Sequence, residues 1–181
     1  MLRTRVGYAG GATENPTYRR IGDHSESVQV LYDPSLVSYE QLLELFWAGH
    51  DPTQRTNSRQ YASIIFYYTD EQRRLAEQSK ADQEQRHGRP VQTEIVAAGL
   101  FTQAEGYHQK YYLQNAVRLM EVLSGMLPTE QALVRSTLAA RLNAVAGGYE
   151  SYEELERELP VFGLGSEQEG LLRDVIRRSR D

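Results

Sequence analysis

The 181 residues contain no cysteine. That excludes disulfides, thiolate metal sites and any thiol catalysis by these residues alone. It fits a reducing compartment, where structural disulfides are rare, and the expected location is cytoplasmic. Long apolar runs are also missing. No stretch approaches the roughly 20 residues that a membrane-spanning helix needs, and Met1-Leu2-Arg3-Thr4-Arg5 carries no apolar signal core. Positive charge is in deficit: 20 basic against 25 acidic side chains give a formal charge of −5. Neither a nucleic-acid partner, which calls for a basic face, nor a membrane is expected. Tyrosine, by contrast, is abundant at twelve residues. Each offers an apolar body with one hydroxyl, suited to a core, an interface or a polar pocket.

The pattern along the chain predicts an α+β core followed by helices. Thr4–Ala9 reads as a short strand ended by Gly10-Gly11, and residues 13–22 as a loop around Asn15-Pro16. From Ser25 to Tyr32 the residues alternate, with Val28, Val30 and Tyr32 on one face, as in a half-buried strand. Ser38 and Gln41 form a capping box before the apolar stripe Leu42, Leu43, Phe46 and Trp47. Gln60–Tyr68 and Val91–Val96 read as strands, separated by a polar surface helix from Asp70 to about Arg86. After Asn115 the texture turns helical. Thr129 can cap one helix carrying Leu133, Val134, Leu138, Leu142 and Val145, stopped by Gly147-Gly148. Ser151 with Glu154 and Ser166 with Glu169 are two further capping boxes. The expected organisation is a mixed sheet with packed helices over residues 1–114 and a helical extension over 115–181.

Three polar side chains stand out for chemistry. Tyr18, Glu26 and Tyr61 sit at loop or strand-end positions. A carboxyl group flanked by two phenols in an apolar cleft is a hydrogen-bonding cup for an oxygen atom. Burial there would keep the carboxyl protonated and able to donate. Each residue taken singly is equally at home on a surface or in a core. His24, His50, His87 and His108 have no zinc-like spacing, so no metal is expected. His24 reads as a structural hydrogen-bonder holding its loop, and Trp47 as core.

Several motifs in order extend the reading. Arg5-Val6-Gly7-Tyr8-Ala9-Gly10-Gly11, Asn15-Pro16-Thr17-Tyr18 and His24-Ser25-Glu26 are followed by Tyr32-Asp33-Pro34, Phe46-Trp47, His50-Asp51-Pro52 and Gln60-Tyr61. With Thr93-Glu94-Ile95 and Glu105-Gly106-Tyr107-His108-Gln109-Lys110-Tyr111, this series resembles the A-type peptide methionine sulfoxide reductases from about residue 3 to residue 113. The resemblance implies reduction of methionine S-sulfoxide, free or in proteins, as a repair of oxidative damage. In that family a cysteine thiolate attacks the sulfoxide sulfur while a glutamate and two tyrosines hold its oxygen. Tyr18, Glu26 and Tyr61 match those three. The resemblance implies no bound cofactor. An external thiol, thioredoxin or a dithiol, is the implied reductant.

Two departures matter. The family's Gly-Cys-Phe-Trp-Gly segment, expected just upstream of Tyr8, has no counterpart here, so these residues as they stand are expected to be inactive. The resemblance implies that a first strand and helix are missing with it. Thr4–Ala9 would then form an exposed sheet edge, which favours a start set too late over an adapted protein. The family's Gly-Asn-Asp stretch between His-Asp-Pro and Gln-Tyr is replaced by Thr53–Arg59, which contains no Asp. Asn57, Ser58 and Arg59 are the available stand-ins. The competing readings are a non-catalytic module that binds a sulfoxide or another small ligand, and an interaction protein working through Pro128–Arg178.

Overall fold

A computed structural model describes residues 3–178. Met1 and Leu2 of the expected core and residues 179–181 of the expected extension lie outside the described residues. The fold is mixed α+β, as the sequence predicts. Two compact units divide it, residues 6–28 with 32–104, and residues 3–5, 29–31 and 105–178.

Strands β1 (Arg3–Ala9), β2 (Ser25–Leu31) and β5 (Phe101–Gln103) form one sheet in the order β2-β1-β5. The expectation that β1 would be an edge is therefore corrected: it is the middle strand. Its partner β5 is three residues long, too short to read from periodicity. Gly7 pairs with Gln103 in antiparallel register. A Cβ on Gly7 would collide with the Thr102 carbonyl and the Phe101 ring, so this close pairing needs glycine. On β2 the expected apolar face is only partly covered: Val30 and Tyr32 are half-buried, but Val28 is not. Val28 is 62% exposed, whereas Ser25 is 1% exposed.

Strands β3 (Ile64–Tyr67) and β4 (Glu94–Ala97) pair in parallel, Ile65 opposite Ile95. Parallel neighbours require a crossover, supplied by α2 (Asp70–His87). Both strands are shorter than the sequence suggests. Residues 59–61 form a 3-10 turn, closed by the Ala62 N–H donating to the Arg59 carbonyl. Before β4, Val91 and Gln92 donate their N–H groups to Glu84 and to the Pro52 carbonyl, and the Thr93 carbonyl accepts from Lys80. Those backbone groups are satisfied outside the ladder, so pairing begins at Glu94.

Helix α1 (Tyr39–Ala48) starts at the predicted capping box, with both Ser38–Gln41 bonds made. Its Leu43 and Trp47 join Ile65, Ala76 and Val91 in one core cluster. Trp47 also donates to Ser79 Oγ at 3.0 Å. Helix α2 is polar as expected but not wholly superficial, since Ala76 is completely buried.

The second unit is built from α3 (Tyr111–Asn115), α4 (Val117–Met126), α5 (Glu130–Arg135), α6 (Thr137–Ala146), α7 (Tyr152–Glu158) and α8 (Ser166–Arg178). Leu113, Leu123, Leu142, Leu155, Leu172 and Ile176 are completely buried in its core. The single helix expected after Thr129 is two. Ser136 adopts an extended conformation (φ −79°, ψ 126°), and its side chain caps α6 at Ala139 N–H. The apolar spacing survives because Leu133, Val134, Leu138, Leu142 and Val145 are all buried. The Ser151 capping box forms. The one proposed at Ser166 is shifted back a residue: Gly165 N–H donates to Gln168 Oε1 at 3.3 Å, and Ser166 is already helical.

Just before α3, Lys110 holds a left-handed conformation (φ 50°) and is 5% exposed. Its ammonium donates to the Thr4 carbonyl and hydroxyl. Burial pushes its pKa from 10.5 down to about 8. Between those values the unfolded chain binds a proton that the folded chain releases, so stability rises with pH there. Urea unfolding followed across that window should show this rise in the natural protein and lose it in Lys110→Met.

Candidate functional site

Three separate segments bring Tyr18, Glu26 and Tyr61 together. The first is the loop after β1. Gly10 leaves the strand at φ 82°, where a Cβ would lie 2.9 Å from the Phe66 ring. The Asp23 carboxylate then accepts from Ala12 N–H (2.8 Å), Thr13 N–H (3.0 Å) and Thr13 Oγ1 (2.7 Å). The Thr13 hydroxyl above all, with these backbone donors, holds its carboxyl well below the usual carboxylate range. His24, 3% exposed, takes the Gly11 N–H on Nδ1 at 3.2 Å. Its Nε2 therefore carries the proton and donates to the Thr13 carbonyl at 2.8 Å. His24 is the structural hydrogen-bonder the sequence predicts. At the far end of the loop, Thr17 and Arg20 exchange backbone hydrogen bonds of 3.3 and 3.0 Å, and Tyr18 lies within this tight turn.

The second segment is the start of β2. The third is the 3-10 turn Arg59–Tyr61. Ser25 Oγ donates to the Arg59 carbonyl at 2.6 Å, and the Arg59 guanidinium reaches Glu94 at 2.7 Å. Gln60 Nε2 donates to Glu26 Oε1 at 2.6 Å. Tyr61 closes the turn and shares a hydrogen bond with Tyr18. That bond is the largest cause raising the Tyr61 pKa above 10, followed by the charge of an ionised Tyr18, by burial and by the Glu26 carboxylate.

The arrangement differs from the sequence expectation in setting and in one residue. It is an exposed surface cluster, not an apolar cleft: Glu26 is exposed, Tyr61 is 59% exposed and Tyr18 39%. The burial expected around Glu26 is absent. Gln60 is the residue that sequence reasoning missed, and adjacency to Tyr61 was its only signal. Of the proposed stand-ins for the family's Asp, Arg59 instead forms the ion pair with Glu94. Two phenol hydroxyls can donate to one polar oxygen, and a carboxyl group close enough to act on Tyr61 electrostatically can donate beside them when it carries a proton.

Among the described residues no cluster of three His, Asp or Glu side chains is placed to hold a metal. His50 donates from Nδ1 to the Phe46 carbonyl at 3.0 Å, and its Nε2 lies 2.9 Å from Ser63 Oγ. No described helix is long and apolar enough to cross a membrane.

The fold is shared with solved structures of yeast Mxr1. The reduced form from Saccharomyces cerevisiae superposes with a TM-score of 0.58 at 29% identity, covering 62% of this chain and 71% of that one. The family model for peptide methionine sulfoxide reductase matches residues 1–139. The chain therefore belongs to the peptide methionine sulfoxide reductase family. Its relatives include the peptide methionine sulfoxide reductase of Drosophila melanogaster, 40% identical over 166 residues, which cover 91% of this chain and 66% of that protein. Peptide methionine sulfoxide reductase A5 of rice is 45% identical over 81% of this chain and 59% of its own length. The enzyme of Methanothermobacter thermautotrophicus is 44% identical over 68% of this chain and 82% of its own. The chain thus spans about three fifths to two thirds of the first two relatives.

Removing the partner phenol tests the geometry. In Tyr18→Phe the hydrogen bond to Tyr61 is lost, and the Tyr61 titration should fall back towards 10 in an ultraviolet pH titration. An unchanged Tyr61 titration would mean that the two rings do not meet.

Proposed function

We propose that Tyr18, Glu26 and Tyr61 form the oxygen-binding side of a peptide methionine (S)-S-oxide reductase. The clustering of these three residues on one surface, on a chain of this family, supports the reading. In the full reaction a cysteine thiolate attacks the sulfoxide sulfur. The S–O bond breaks, the oxygen takes up a proton and passes to the cysteine as a sulfenic acid, and methionine leaves. The substrate sulfur is reduced by two electrons and the cysteine oxidised by two. An external dithiol or thioredoxin then returns the sulfenic acid to thiol, releasing water.

The tyrosine hydroxyls would hold the sulfoxide oxygen by hydrogen bonds that strengthen as negative charge builds on it. Glu26 would supply the proton to the departing oxygen. Gln60 donates to Glu26 Oε1 and so orients the carboxyl group, leaving its other oxygen, when it carries a proton, to donate to the sulfoxide oxygen. The substrate class is methionine S-sulfoxide, free or within proteins.

The absence of cysteine from all 181 residues favours a narrower role for these residues by themselves: they bind the sulfoxide without reducing it. The protein should give no turnover of N-acetyl-methionine (S)-sulfoxide with dithiothreitol or with thioredoxin. It should still bind that compound, and Tyr61→Phe or Glu26→Gln should weaken binding by up to about tenfold, the worth of one hydrogen bond. Turnover by this cysteine-free chain, or binding indifferent to both substitutions, would contradict the reading.

A further inference from the structure

A second candidate site lies in the helical unit, over residues 141–158, beyond the 1–139 that match the family model. A cavity of about 340 Å³ opens there between the end of α6 and helix α7. It is lined by Arg141, Ala144, Tyr149, Glu150, Glu154 and Glu158. Three carboxylates face one guanidinium. Arg141 is already engaged, since its Nη2 binds Glu150 Oε1 and lies 2.8 Å from Glu158, with Nε 3.0 Å from the other Glu158 oxygen. Negative charge is therefore left in excess. The Glu150 side chain is only 9% exposed, and its Oε2 has no hydrogen-bond partner. Burial holds its carboxyl above the ordinary value despite Arg141. A second cation nearby would relieve that cost.

One lining residue, Tyr149, is the end of an aromatic row. Tyr111, Tyr112 and Tyr149 touch edge-on, with ring centres 5.8 and 5.9 Å apart. They are nonetheless 59, 43 and 75% exposed. The row depends on Gly147, where a Cβ would come within 2.8 Å of the Tyr112 ring and 2.9 Å of Tyr149. An exposed contiguous aromatic surface beside a negatively charged cavity complements a side chain with an apolar stem and a cationic head.

We propose that this site binds an arginine side chain of a partner polypeptide, its guanidinium among Glu150, Glu154 and Glu158 and its stem against Tyr149. Arginine suits it better than lysine because its planar head both stacks on an aromatic ring and forks onto carboxylates.

The test is a titration of the full chain with N-acetyl-Gly-Arg-Gly-amide, followed by the tyrosine ring signals in proton NMR. The citrulline peptide, equal in shape but uncharged, is the control. The arginine peptide should move the Tyr149 and Tyr112 signals, and the citrulline peptide should bind at least about tenfold more weakly. Tyr149→Ala, at a position too exposed to endanger the fold, should weaken arginine binding by about tenfold. Glu158→Gln should weaken it as well. Equal binding of the two peptides, undiminished binding by Tyr149→Ala, or no ring shift up to about 10 mM peptide would overturn the proposal.

Discussion

A buried hydroxyl fixes where the candidate site can form. Ser25 is 1% exposed and donates to the Arg59 carbonyl at 2.6 Å, tying the first residue of β2 to the turn 34 residues later. The next residue on each side then follows by geometry. Glu26 comes opposite Gln60, and Tyr61 is carried to Tyr18. A buried donor left without its acceptor costs about 1–3 kcal/mol, so this tie is made wherever the unit is folded. His24 and Asp23 do the same for the loop that presents Tyr18, using a protonated Nε2 and a carboxylate with three donors. The polar cluster is held by polar anchors, not by an apolar pocket.

The two units are stabilised by different means. The first combines short strands with two helices around a small cluster centred on Trp47 and Ile65, and satisfies much of its backbone through side chains such as Glu84, Lys80 and Ser25. The second is an all-helical core of leucines, nine-tenths or more buried, its helices delimited by caps at Thr129, Ser136 and Ser151. The chemistry expected of the family falls in the first. The acidic, tyrosine-rimmed cavity falls in the second, outside the region matched by the family model.

Much of this was legible in the residues. The α+β class, the capping boxes at Ser38 and Ser151, the buried leucine spacing after Thr129 and the structural role of His24 all follow from local pattern, because each depends on neighbours close in sequence. What was not legible depends on distant partners. β5 is a strand only because Gly7 lets it approach. Residues 91–93 look like a strand but spend their hydrogen bonds on Pro52, Glu84 and Lys80. The break at Ser136 replaces a continuous helix because a serine can cap as readily as it can continue one. At the site, motif order named Tyr18, Glu26 and Tyr61. Their exposure, and the part played by Gln60, required the fold.

The most direct measurement is a crystal structure of this chain with N-acetyl-methionine (S)-sulfoxide. The account predicts the sulfoxide oxygen about 2.5–3.0 Å from the hydroxyls of Tyr18 and Tyr61, with the Glu26 carboxyl beside it. A ligand bound elsewhere, or one whose oxygen turns to solvent at this cluster, would contradict it.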